Sequence, residues 1–513
     1  MKKLSILGFS AMLIVVGVVG CGDDGDDNPG GKGGNGAEAG DSDGGGKGGK
    51  GGTAGTGGKG GSGGTDSETP SAGTGGDGDE PVAGAGGGGN PPAPCDIYGD
   101  RPVEEIPVDG DDNITAEKLT ADKVWKLSGR YFVPEGKTLE IEPCTRIEGT
   151  PKPNAGSLFV MRGAKIQAVG TADAPILFTS EDHKFSETPW GGVVLLGKAP
   201  IGPAIAGTAV PERIYEGMTD ERAAYGGDDA GDDSGEMAYV RIEFGGDIIV
   251  TEPAAKEING LSFGGVGDAT KIHHIMVKDQ YDDCFEWFGG TVNADHLICQ
   301  NSGDDMFDTD EGFKGHLQYL FGRNLVEGTS NDPNGFEWDG NQPLLTAPAD
   351  TLGIPQAANA TLCGFKESTK TSYGAVLRRS LGDGTSIANS LITGFNFGVD
   401  ARDNVGTNAA PLISWSDSSF FEQITEDGSD TAAGATADDD TKDGAFDEEA
   451  WLTDAAASNT LGEVPAGFDC YATVPVPPTT AIEAPAPGDG FDAAGTFQGA
   501  FGAENWAEGE WVN

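Results

Sequence analysis

Two near-copies, one beginning at Asp282 and the other at Asp304, constrain this chain more than any other feature. The first reads DDCFEWFGGTVNADHLICQNSG and the second DDMFDTDEGFKGHLQYLFGRN. At the same step His274 maps onto His296 and Ile275-Met276-Val277-Lys278-Asp279 onto Leu297-Ile298-Cys299-Gln300-Asn301. Phe285-Glu286 likewise maps onto Phe307-Asp308, and Phe336-Glu337 repeats the pair once more after a longer interval. Short runs of Val, Ile, Leu and Phe, punctuated by Gly, Asn, Asp and Pro, continue from Val124 to about Phe420 with no amphipathic helical stretch between them. Such a repeat predicts an all-β chain, a parallel β-helix in which coils stack about 4.8 Å apart. A β-propeller blade needs roughly 40 residues, which fits poorly.

Earlier in the chain the step shortens. Leu139, Leu158 and Leu177 follow one another at equal intervals and Leu195 arrives one position early, which predicts a single apolar ladder through the first three. Ten or eleven coils between Val124 and Phe420 make a solenoid about 50 Å long. Open sheet edges at its ends need covers, so residues 95–123 and 422–513 are read as caps around a body at 124–421.

Composition divides the rest. Lys2 and Lys3, an apolar run from Leu4 to Val19, then Gly20 and Cys21 have the layout of an export signal over residues 1–20. Val18-Val19-Gly20-Cys21 resembles a bacterial lipobox, which implies cleavage before Cys21 and acylation of its thiol. Residues 21–94 are low-complexity Gly, Ser, Thr, Asp and Lys without periodic apolar positions, a disordered tether with an r.m.s. reach of about 45 Å. The expected location is the cell envelope, as an outer-membrane, surface-exposed lipoprotein held to the membrane through Cys21. A net charge of −51 argues against nucleic acid and anionic lipid as partners. It fits solvation or cation binding.

Six cysteines follow Cys21, an even number that favours disulfides in an exported protein. Cys95 with Cys144 is the expected first bridge, since both flank the start of the ordered region. Cys284, Cys299, Cys363 and Cys470 leave three pairings open.

The phrases AKIQAVGTADAPILFTS, WGGVVLLGKAPI, EINGLSFGGVGDAT, YGAVLRRSLGDGTSIANSLITGF and GAFGAENWAEGEW, with the two Asp-Asp stretches, resemble a family of bacterial surface and lipoprotein β-helix proteins. The resemblance implies a right-handed parallel β-helix and export, and it brings no catalytic residues with it.

Candidate chemistry gathers on the repeat. Asp282, Asp283, Glu286, Asp304, Asp305, Asp308 and Asp310 form an acidic face whose coil-equivalent side chains fall about 5 Å apart. Ionised carboxylates at that distance need a cation, amide donors or raised pKa values. Calcium suits them, because it takes roughly six to eight oxygens in flexible geometry; Asp side chains that brace turns are the competing explanation. Asp308-Thr309-Asp310-Glu311-Gly312, and Asp439 with Asp443, Gly444 and Asp447, carry fragments of a calcium-loop pattern. Trp287, Phe288, Phe313 and Trp338, beside Glu337 and Asp339, are candidates to hold a sugar ring or another surface protein, or else to pack a loop. His274, His296 and His316 recur at nearly equal intervals, a candidate ladder for a transition metal. NSGDDMFD, from Asn301, resembles the Asp-Asp motif of pectin-type hydrolases, but no Gly-His-Gly and no Arg-x-Lys follow it. The expected function is a noncatalytic adhesive or glycan-binding module with calcium as its candidate ion; a polysaccharide lyase or glycoside hydrolase and a structural stalk are the alternatives.

Overall fold

Alternating apolar residues bounded by turn formers can satisfy their backbone only by pairing with neighbouring coils. The computed structural model describes residues 95–185, 189–202, 212–250, 256–340, 351–402, 413–422, 448–462, 464–502 and 505–512. Cys21, the export signal, the tether and Asp439 to Asp447 lie outside them. The described residues build a parallel β-helix with a 17-stranded and a 9-stranded sheet, plus two two-stranded antiparallel ribbons.

The nine-stranded sheet takes one strand from each coil in chain order, all parallel: Arg130–Val133, Ser157–Val160, Val193–Leu196, Leu261–Gly264, Phe285–Phe288, Phe307–Asp310, Phe336–Trp338, Ala375–Leu377 and Asp400–Ala401. Its inward column runs Tyr131, Leu158, Val193, Leu261, Phe285, Phe307, Phe336, Ala375. Like stacks on like: the Phe285 and Phe307 rings lie 5.4 Å apart at 7°, and Phe263 and Trp287 lie 5.2 Å apart at 9°. Each buried ring contributes about 1.5–3 kcal/mol by leaving water.

The central register is the one the repeat predicts, with Ile275 opposite Leu297 and Phe285 opposite Phe307. The N-terminal register is not. Leu139 pairs with Ile166, Leu158 with Val193 and Leu177 with Arg146, so the three leucines sit on three separate strand columns. One full coil there runs from Tyr131 to Leu158, longer than the interval between successive leucines, which counts between faces of similar composition. The parallel stack also includes Val103–Glu105 and Thr460–Leu461, inside the segments read as caps.

Five strands of the larger sheet bend midway, and each bend is a non-glycine residue in the left-handed region: Tyr239 (φ 51°), His274 (54°), His296 (53°), Tyr319 (56°) and Asn359 (55°). Asn389 (54°) and Asp417 (52°) continue this corner between split strands. Such a conformation costs of order 1 kcal/mol or more per residue, and it persists because strand pairs lock both flanks. The C-terminal segment covers the corner. Asn359 donates to the carbonyl oxygens of Gly495 and Phe497, and Asn389 to those of Pro485 and Gly495.

Disulfides join Cys95 to Cys144, Cys284 to Cys299 and Cys363 to Cys470. The last ties the C-terminal segment to the solenoid.

Candidate functional site: a carboxylate pit on the nine-stranded sheet

Strand alternation turns Phe285 and Trp287 into the core and Glu286 and Phe288 out of it. One coil on, Phe307 and Thr309 face in while Asp308 and Asp310 face out; in the next, Glu337 takes the place of Asp308. The outward column therefore reads Glu286, Asp308, Glu337 at sheet spacing. Asp308 to Gly312 is a strand end, with Glu311 (φ 55°) and Gly312 (φ 79°) making the turn.

The Asp-Asp pairs occupy the turns just before these strands, and their two members differ. Asp283 Oδ1 accepts the amide of Asp305 at 2.8 Å, and Asp305 Oδ1 accepts the amide of Asn334 at 2.7 Å. Asn334 Oδ1 in turn accepts the amide of Tyr373 at 3.0 Å. The second residue of each pair thus braces a turn-to-turn ladder. Asn334 performs that task without charge, so the ladder does not explain why Asp283 and Asp305 are acids. The coils approach closely here: a Cβ on Gly303 would lie 1.8 Å from the Tyr281 carbonyl oxygen.

A roof completes the concavity. The long coil from Val193 to Leu261 sends its excursion over the sheet, with Arg213, Glu216, Tyr225, Lys256 and Glu257 lining the far wall. The enclosed space is about 280 Å³, and its walls carry Asp282, Asp283, Glu286, Asp304, Asp305, Asp308, Asp310, Glu311, Glu337 and Asp339, with Phe288 and Arg378. All seven expected metal-ligating acids meet there. Three oxygens from Asp282, Asp283 and Asp304 lie within 4.8 Å of one another, as do three from Asp283, Glu286 and Asp308.

The cations in the wall are spent on its periphery. Arg213 pairs with Glu311, Lys256 with Glu216 at 3.3 Å, and Arg378 with Glu337 at 2.8 Å and Asp339 at 3.5 Å. Among the described residues no Lys or Arg pairs with Asp282, Asp283, Glu286, Asp304, Asp305 or Asp308. Burial pushes all six carboxyls well above the usual carboxylate range, and the neighbouring negative charges push further. Asp339 is pushed up to about 7 by burial, against the opposing pull of Arg378. Two carboxylates about 5 Å apart repel by about 3 kcal/mol at an effective dielectric of about 20. That exceeds the worth of a surface ion pair, about 0–1 kcal/mol.

The aromatic expectation is corrected in three of four positions. Trp287, Phe313 and Trp338 are fully buried, the two tryptophans turned inward by the same alternation that turns the acids outward, and none offers a face to a sugar. Only Phe288 borders the pit. The histidine ladder is corrected in its third member: His296 is followed at the bend by Tyr319, while His316 starts the same strand three residues earlier and pairs with Gln356.

A larger hollow of about 920 Å³ shares Gly217 with the pit's rim. Arg130, Lys152 and Arg222 line it; Arg222 lies 3.9 Å over the Phe132 ring, and Lys152 pairs with Asp247 at 3.0 Å. These residues come from distant coils, and no local motif announces them.

Residues 112–462 match the family described as pectate-lyase-like β-helix domain. No curated protein and no solved structure matches the chain.

Proposed function

The chain belongs to the pectate-lyase-like β-helix domain family, and from that premise we propose that it is a noncatalytic glycan-binding module of the cell envelope whose acidic pit holds calcium. The observation that carries the reading is the group of six buried or half-buried carboxylates on adjacent coils with no basic side chain paired to them among the described residues. Oxygen-only donors in a wall of adjustable side chains favour calcium over a transition ion. Asp282, Asp283, Glu286, Asp304, Asp305 and Asp308 would hold it, and bound calcium would supply the missing positive charge. The adjoining hollow, with Arg130, Lys152, Arg222 and Phe132, has the volume and mixed charged and apolar lining for an oligosaccharide. Acylation at Cys21 would anchor the module to the outer membrane, with the Gly-rich tether holding it clear.

A lyase or hydrolase is the second reading, favoured by Arg378 standing between Glu337 and Asp339 in a concave site. Against it, a guanidinium bonded to two acids stays protonated and is a poor base. The test is a glycan array on the full chain with calcium and with chelator, alongside assays for new reducing ends and unsaturated sugar products. Calcium-dependent binding without product supports the module. Product formation abolished by Arg378→Ala replaces it with the enzyme, and neither binding nor product removes the glycan.

A further inference from the structure

The bend of the larger sheet carries a second cluster of ligating groups, on another face of the solenoid and built from nitrogen as well as oxygen. His274 and His296 occupy the same bend position in adjacent coils, their rings 4.3 Å apart and within 11° of parallel. Asp295 adds a carboxylate whose Oδ1 is 2.5 Å from His296 Nδ1, and His273 places its Nδ1 3.0 Å from that of His274. One ligating atom each from His274, Asp295 and His296 lies within 4.8 Å of the other two. We propose that His274, His296 and Asp295 form a site for a late first-row divalent transition metal such as copper, nickel or zinc.

Several observations converge on this. The bend requires only a left-handed residue, and Asn, Asn and Asp serve at 359, 389 and 417; in the two histidine coils the side chains instead bring imidazoles and a carboxylate together. Imidazole with carboxylate is a donor set for zinc, copper and nickel, whereas the pit's oxygens select a harder ion, so the two sites are separable by chemistry. Access remains through Asp295, whose side chain is half exposed. Two C-terminal indoles close the other side: Trp506 lies 4.9 Å from His296, and Trp511 lies 5.6 Å from His274. Bringing both stacked imidazoles onto one ion takes a side-chain rotation of one ring. The bound ion would then sit under the C-terminal segment and fasten it to the solenoid.

The test is electron paramagnetic resonance of the full chain in excess calcium with one equivalent of Cu²⁺. The expected spectrum carries nitrogen superhyperfine structure from imidazole; it persists in His316→Gln and disappears in the double variant His274→Gln/His296→Gln. Copper in an all-oxygen environment, or a nitrogen pattern unchanged in the double variant, overturns the proposal. Should the double variant fail to fold, Asp295→Asn decides, because its side chain is half exposed. About a tenfold or larger loss of Cu²⁺ affinity with an unchanged thermal midpoint supports the site, and unchanged affinity refutes it.

Discussion

Along the outward column of the nine-stranded sheet, one backbone geometry carries two opposite chemistries. The first three coils present Phe132, Phe159 and Val194; the fifth to seventh present Glu286, Asp308 and Glu337, and Ser262 stands between the two groups. One excursion roofs both. Tyr215 packs edge-on at 5.9 Å against Phe159 and at 5.4 Å against Phe288, while the adjacent Glu216 turns to the pit and pairs with Lys256. Over the apolar group the roof closes as an ordinary core. Over the acidic group it encloses an uncompensated charge that the fold itself does not need, since the inward columns and the turn ladder already specify the coil. The difference separates what builds the solenoid from what equips it.

The contrast can be broken from the apolar side first. Phe159→Ala is expected to cost about 3–5 kcal/mol, read as a lower denaturation midpoint in calcium and in chelator alike. On the acidic side, calcium at about 100 times its dissociation constant is expected to add about 2.7 kcal/mol over the chelated protein. Asp305 separates ladder from pit. Asp305→Ala leaves the Asn334 amide without its acceptor and costs about 1–3 kcal/mol in chelator, whereas Asp305→Asn keeps the acceptor, weakens calcium and leaves the chelated protein as stable or more so. If Asn and Ala behave alike, the ladder contributes nothing.

The same contrast is expected to show in pH. Carboxyls whose folded pKa is raised stabilise the fold while protonated, fully so below the unfolded value of about 4, and that contribution is lost as pH rises through the folded value. With Asp339 at about 7 and six neighbours raised as well, the chelated protein is expected to lose stability steadily from about pH 4 to beyond 7. Calcium should flatten that slope, with proton release on binding. A chelated protein that gains stability over this range contradicts the raised values.

The central coils are legible from sequence because strand, turn and strand recur there at a constant interval without insertion, so Asp282 over Asp304 and Phe285 over Phe307 follow from counting. At the N-terminal end counting fails because strands on different faces share the same apolar composition, and Leu139, Leu158 and Leu177 look alike while facing different neighbours. The acidic members of the pit are readable from their own repeat. Arg213, Glu216, Lys256 and Glu257 are not, because they arrive on an excursion whose path depends on Tyr215 packing against Phe159 and Phe288. Trp287 and Trp338 look exposed only while two-residue alternation is not carried through the strand: if Glu286 points out, its neighbour points in.

The most direct test is calorimetric titration of the full chain with calcium at neutral pH, beside Glu286→Gln, which keeps the hydrogen-bond acceptor for Asn259 while removing one charge. A saturable calcium isotherm with proton release, weakened about tenfold or more by Glu286→Gln, whose chelated form melts higher than the parent, is the expected result. No calcium binding, or an isotherm that Glu286→Gln leaves unchanged, would contradict the assignment of the pit as a cation site.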